Sequence, residues 1–226
     1  MTLPFSRDEV CAVCGAASEQ TGVLSTSTFG PPDLDGRPAP LKRATIEWAI
    51  HRCPNCGYCS PNLGDAAEHA AKAVRSTRYQ ERLSDQTVPE LARSFLCAAL
   101  VAEKGEGAAA SHARALHLLH AAWACDDADA VEVAGRCRLQ AAAAVEAAIT
   151  AGESLSDQDP AGDHAFLADL YRRAGRFDEA GAAARAGLDL ADADLFRDLL
   201  GLQLMLVEAR DASVHTCDEL PGGDPE

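Results

Sequence analysis

Cys11-Ala-Val-Cys14-Gly15 and Cys53-Pro-Asn-Cys56-Gly57 are the residues whose types and spacing most directly specify chemistry in this chain. A Cys-x-x-Cys turn aims two sulfurs at one point, and two such turns supply the four thiolates of a closed tetrahedral zinc site. In the second turn Pro54 presets φ, and Gly57 can take the positive φ needed to leave the turn with amides facing sulfur. The expected ligands are therefore Cys11, Cys14, Cys53 and Cys56, with zinc in a structural role. The spacing leaves open two unrelated thiol pairs. Cys59 makes a Cys-x-x-Cys-x-x-Cys run, so it is a candidate substitute ligand or iron–sulfur thiol, and His51, two residues before Cys53, is either an outer donor or an exposed strand histidine.

Those turns need elements to hold them. Residues 1–10 read as a short lead and 21–40 as a loop rich in Ser, Thr, Gly and Pro. Within that loop, Asp33, Asp35 and Arg37 form either a local Asp–Arg pin or a ligand-recognition group. Ile46, Trp48 and Ile50 alternate with Glu47, Ala49 and His51, the pattern of a half-buried strand entering the second turn. Pro61–Gly64 marks a seam, with Asp65 as a helix N-cap.

Beyond the seam the chain reads as helical. The expected segments are 66–75, 77–83, 88–104, 108–125 and 130–150, then a flexible link over 152–162. Asp126-Asp-Ala-Asp129 is expected to stop one helix and cap the next. Residues 164–188 resemble one tetratricopeptide repeat, with Leu167, Ala168 and Tyr171 on a first helix, Gly175 at the turn and Phe177, Ala180 and Ala184 on a second; Gly187 departs from the alanine usual at its position. A last helix over 194–209 should bury Leu195, Leu199, Leu202 and Leu206. The expected division is a small β zinc-ribbon domain over 1–64, a mainly α, tetratricopeptide-like repeat domain over 65–212 and a disordered tail over 213–226.

Composition narrows the function. The net charge of −15 divides into −1 over residues 1–64 and −14 over 65–226, and neither part offers the basic face that a phosphate backbone needs. Nucleic acid is thus not an expected partner. The N-terminus carries no secretory signal pattern and no stretch is long and apolar enough to span a membrane. Nine cysteines, an odd number with four in metal spacing, fit a reducing cytoplasm better than a disulfide framework.

The Cys-x-x-Cys-Gly front end, the Phe29-Gly-Pro-Pro-Asp-Leu-Asp-Gly-Arg-Pro38 loop, Cys53-Pro-Asn-Cys-Gly-Tyr58 and the helices behind them are together similar to an uncharacterised bacterial domain-of-unknown-function family. The resemblance covers most of the chain. It implies a four-cysteine zinc ribbon followed by tetratricopeptide-like helices, and no established activity.

An enzyme is not expected. Four thiolates close the metal shell, whereas a catalytic zinc keeps a position open. His117 and His120 share a helix face with His112 nearby, but no local carboxylate or thiol joins them, and they read as a solvated helix edge. The expected function is an adaptor that binds a protein or peptide through its helices, the acidic excess favouring a basic segment, as a monomer or small homo-oligomer. The alternative is a rubredoxin-like iron electron carrier, since four thiolates also hold iron and Cys-Pro-x-Cys-Gly occurs in rubredoxins.

Overall fold

Each cysteine pair forms the turn of its own hairpin. In the computed structural model, which describes residues 1–155 and 160–221, strand β1 (Thr2–Val10) pairs antiparallel with β2 (Ala17–Thr26), and the first Cys-x-x-Cys turn joins them. The second turn joins two short strands, β3 (His51–Arg52) and β4 (Cys59–Ser60). The expectation of a short lead at 1–10 and a loop from 21 is thus corrected. Continuous ladder bonds carry β1 and β2 outward from the turn, and Pro4, which cannot donate, sits at the register shift between Leu3 and Pro4.

The strand expected over 44–52 is also corrected. Lys42–Trp48 is a 3-10 helix, and only His51 and Arg52 are extended. Ile46 packs on the core and Ile50 is buried, so the apolar residues do turn inward. Period two in sequence was met here by a tight helical turn followed by a bend. No side chain caps it; its last turn closes by Ala49 N–H to Ile46 O.

Helices follow: α1 (Ala70–Val74), α2 (Thr77–Ser84), α3 (Glu90–Ala102), α4 (Ala108–Asp126), α5 (Val131–Thr150), α6 (Pro160–Arg173), α7 (Phe177–Leu188) and α8 (Asp194–Glu208). The chain is mainly helical with a small N-terminal two-stranded sheet. From α3 onward, neighbours in sequence are neighbours in space. Alanines explain the closeness: Ala121, Ala122 and Ala124 of α4 and Ala141, Ala142 and Ala144 of α5 are all buried. Small side chains allow axes to approach, and α3 adds bulk with the fully buried Phe95. No described helix is long and apolar enough to cross a membrane.

Several caps differ from expectation. Asp65 accepts from Asn62 Nδ2 at 2.7 Å in a turn, and the first helix starts only at Ala70. Helix α5 has Ala130 at its N-cap with no side-chain bond, because Asp126 and Asp127 are drawn off to arginines. Ser76 does cap α2, accepting from Tyr79 N–H at 3.3 Å. On α8 the inward residues are Leu200, Gln203 and Leu206, while Leu195 is 59% exposed. Four of the residues between Gly152 and Gly162, 156–159, lie outside the described set.

The close approach between α6, α7 and α8 accounts for Gly187. A Cβ there would lie 2.7 Å from His164 Cβ and 2.9 Å from Leu200 Cδ2. Alanine does not fit. Residues 213–221, expected as disordered tail, return to the N-terminal region: Leu34 N–H donates to His215 O and Cys217 N–H to Pro32 O, each at 2.9 Å. Residues 222–226 lie outside the described set.

Candidate metal centre

The two turns are built alike. Gly15 N–H donates to Cys11 O at 2.7 Å and Gly57 N–H to Cys53 O at 2.9 Å; both glycines have φ of +75°. Cys11 N–H then closes on Ala16 O, and Cys53 N–H on Tyr58 O. Each turn thereby holds two sulfurs on the same side, and Ala12 N–H bonded to Leu63 O at 2.8 Å ties the first turn to the end of the second hairpin.

Cys11, Cys14, Cys53 and Cys56 meet with their sulfurs all within 4.8 Å of one another. The Cys11–Cys56 separation is 3.7 Å and the Cys14–Cys53 separation 3.6 Å. A tetrahedron with metal–sulfur bonds of about 2.3 Å requires sulfur–sulfur edges of about 3.8 Å. The donor set therefore fits a four-coordinate metal ion. It is the one such group among the described residues.

Electrostatics within the set are uneven. The Asn55 side chain, followed by the Ala16 amide, holds the exposed Cys14 thiol down at about 6. Burial pushes Cys11 and Cys56 up. A bound cation would replace those protons, as thiolates are the ligating form.

The chain matches no protein-family model, no curated protein and no solved structure.

The neighbours proposed from sequence take other roles. Cys59 does not join the four sulfurs; its thiol donates to Gly57 O at 3.4 Å and pairs with Cys97 of α3. His51, read as an exposed strand histidine, is buried, and burial lowers its pKa. Sequence reasoning missed the brace on the second turn. The fully buried Tyr79 of α2 donates to Gly57 O at 2.9 Å and accepts from Cys59 N–H at 3.0 Å. The Gly57 backbone lies so near α2 that a Cβ would stand 2.4 Å from Leu83 Cδ2. Glu9, also buried, accepts from Leu63 N–H at 2.7 Å. A tyrosine one helical turn behind an N-capping serine was the available signal for the first of these.

The Asp33–Arg37 loop closes on itself by backbone, with Asp33 N–H donating to Arg37 O at 2.9 Å, but its charged side chains pair with groups outside it. Arg43 holds Asp33 at 2.5 Å, and Arg37 reaches both carboxylate oxygens of Asp127 at 2.6 Å while lying 5.8 Å over the Trp123 ring. Asp35 accepts from Trp123 Nε1–H at 2.7 Å and from the Arg37 amide at 3.1 Å. Burial, then the charge of Asp169, hold its carboxyl up at about 6. Beneath it Arg138 and Arg173 share Asp126, and the fully buried Arg172 holds Asp169, Gln203 and the carbonyls of Asp211 and Ser213. This polar layer joins the loop, α4, α5, α6, α8 and the C-terminal segment.

Beside that layer lies a cleft of about 430 Å³. Pro38 and Gly36 of the loop form one wall; Leu116 and Trp123 of α4, Phe166 of α6 and Phe196 of α8 form the others. His117 and His120 are half-buried rather than on a solvated edge. His120 lies against Phe95 and Trp123, with ring centroids at 5.2 and 4.8 Å. Burial lowers both imidazoles to about 4, so they are neutral at pH 7.

Proposed function

We propose that this protein is a zinc-braced adaptor that binds a protein or peptide segment through its helical region. The observation that carries this reading is the cleft between the Asp33–Arg37 loop and helices α4, α6 and α8. Clefts at such junctions, with aromatic walls and few polar groups, are the usual form of a recognition site. Asp35 and Asp163 are on its walls, the His120 imidazole is neutral at pH 7, and among the described residues no arginine or lysine lines it. An apolar anchor residue flanked by Lys or Arg suits that field, with charge steering association more than setting affinity.

In this reading the metal is zinc and structural, because four thiolates leave no open position for substrate. Helices α6 and α7, joined through Gly175 at φ +73°, are taken as one tetratricopeptide-like unit, and the protein as a member of the bacterial family it resembles. The net charge of −15 argues against nucleic acid as the partner. The iron electron-carrier reading draws on the same sulfurs, with the exposed Cys14 as its point of contact.

The test uses the metal-loaded full chain and fluorescence anisotropy. The probes are labelled synthetic peptides carrying one Trp, Phe or Leu between lysines, with glutamate-flanked counterparts as controls. The reading expects lysine-flanked peptides to bind and Phe166→Glu to abolish the binding. Equal behaviour of both peptide sets, or binding untouched by Phe166→Glu, contradicts it.

A further inference from the structure

The cleft between the Asp33–Arg37 loop and helices α4, α6 and α8 presents few polar side chains, and most of them are already in use. Asp35 accepts from the Arg37 amide and from Trp123 Nε1–H, so the one donor of the indole is taken too. Asp163 accepts from Ser154 Oγ–H at 3.0 Å and from Leu155 N–H at 3.1 Å. His112 Nδ1 lies 3.2 Å from Leu155 O. His120 is the exception. Among the described residues neither of its ring nitrogens has a hydrogen-bond partner, yet neither is sealed from solvent, whereas Nδ1 of His117, one turn earlier, is both unpartnered and sealed.

Packing fixes the His120 ring in place of hydrogen bonds. It lies against Phe95 and Trp123, and burial keeps it neutral at pH 7. Pro38, His120 and Trp123 also line a second cavity, of about 190 Å³, so the imidazole stands at the junction of the two spaces. A neutral imidazole carries one N–H donor and one acceptor nitrogen. In an otherwise apolar site, a few such held polar groups fix the orientation of a ligand and discriminate among ligands.

We propose that His120 selects the anchor residue of the bound segment, and that this anchor is a tyrosine whose hydroxyl hydrogen-bonds the imidazole while its ring lies among Trp123, Phe166 and Phe196. The inference rests on the peptide-binding reading of the cleft. Three aromatic walls suit an aromatic ring. A phenol hydroxyl both donates and accepts, so it can pair with either imidazole nitrogen, whichever carries the proton. An indole N–H serves only the acceptor nitrogen, and phenylalanine or leucine serves neither. An apolar anchor would displace water from His120 and strand its polar atoms, a loss that exceeds the net gain of one hydrogen bond made. A site built to pair with a hydroxyl accordingly rejects the analogue that lacks it.

Fluorescence anisotropy at pH 7 on the metal-loaded full chain compares two labelled lysine-flanked peptides that differ by one oxygen atom, with tyrosine or phenylalanine at the centre. Wild type is expected to bind the tyrosine peptide about tenfold more tightly. His120→Phe, and separately His120→Leu, should bind the two peptides within about twofold of each other, with circular dichroism and metal content unchanged. The comparison in wild type needs no variant and stands whether or not either one folds. Equal affinity of wild type for the two peptides, or a tyrosine preference that survives both substitutions, overturns this inference and leaves the cleft as the binding site. Failure of both peptides to bind, or binding untouched by Phe166→Glu, overturns the peptide-binding reading and this inference with it.

Discussion

The N-terminal hairpins and the helical region hold their shape by opposite means. The β1–β2 hairpin buries only Glu9 and Gly22 along its strands, so little apolar area stabilises it. Two-stranded hairpins alone are marginal in water, and here four sulfurs, Tyr79 and the Leu63 contacts must do what a core cannot. In the helical region the core runs unbroken from Ala70 to Leu200, and alanine packing accounts for most of it. One region depends on a point, the other on an area. The two meet at the second cysteine hairpin, whose Ile50, Tyr58, Cys59 and Leu63 join the helices' buried cluster, and at the Asp33–Arg37 loop with its polar layer.

That contrast is open to breaking, and the largest effect belongs to the metal. Structural zinc contributes on the order of 10 kcal/mol of folding free energy in small modules. Cys56→Ser, or a strong chelator, should therefore release the metal and unfold the hairpins. The α3–α7 helices should remain, so circular dichroism at 222 nm would change little while amide exchange in residues 1–64 accelerates. Loss of the helical signal together with the metal would mean that one cooperative unit spans both regions.

A second substitution addresses the meeting layer. Arg172 is fully buried among Asp169, Gln203 and the Asp211 and Ser213 carbonyls. Arg172→Ala strands the Asp169 carboxylate and should cost about 3–5 kcal/mol in chemical denaturation. Residues 213–221 should detach and become protease-sensitive, with metal content unchanged. Within the helices alone, Gly187→Ala should cost about 1–3 kcal/mol, because His164 and Leu200 must give way.

The smallest effect is on pH. His117 and His120 are held near 4 when folded against 6.5 as free side chains, so unfolding favours their protonation and stability is lost as pH falls from about 6.5 towards 4. Asp35 acts oppositely: its carboxyl, raised to about 6, is relieved of buried charge as pH falls through that value. Two rings outweigh one carboxyl. Wild type should thus lose stability between pH 7 and pH 4.5, His120→Phe should lose less, and Asp35→Asn should lose more.

The convergence of Cys11, Cys14, Cys53 and Cys56 was legible because cysteine spacing and the following glycine are local requirements. The helices were legible from periodicity, with the boundaries of α2 to α5 falling within two or three residues of expectation. What escaped was decided by distant partners. The apolar residues at 46, 48 and 50 fit a strand or a tight turn equally, and contact with the core chose the turn. Asp33, Asp35 and Arg37 looked self-sufficient in sequence, yet Asp127, Trp123 and Arg43 claim them. The histidines at 117 and 120 looked polar, and only the placement of Phe95 and Trp123 makes their site apolar. Gly187 looked like a weakness until the proximity of α8 showed that alanine has no room.

X-ray absorption at the metal edge of the natively purified full chain tests the central claim most directly. The account predicts one zinc per chain with four sulfur neighbours at about 2.3 Å and no light-atom ligand in the shell. Iron in the site, or a zinc shell with nitrogen or oxygen replacing one of the sulfurs of Cys11, Cys14, Cys53 and Cys56, would contradict it.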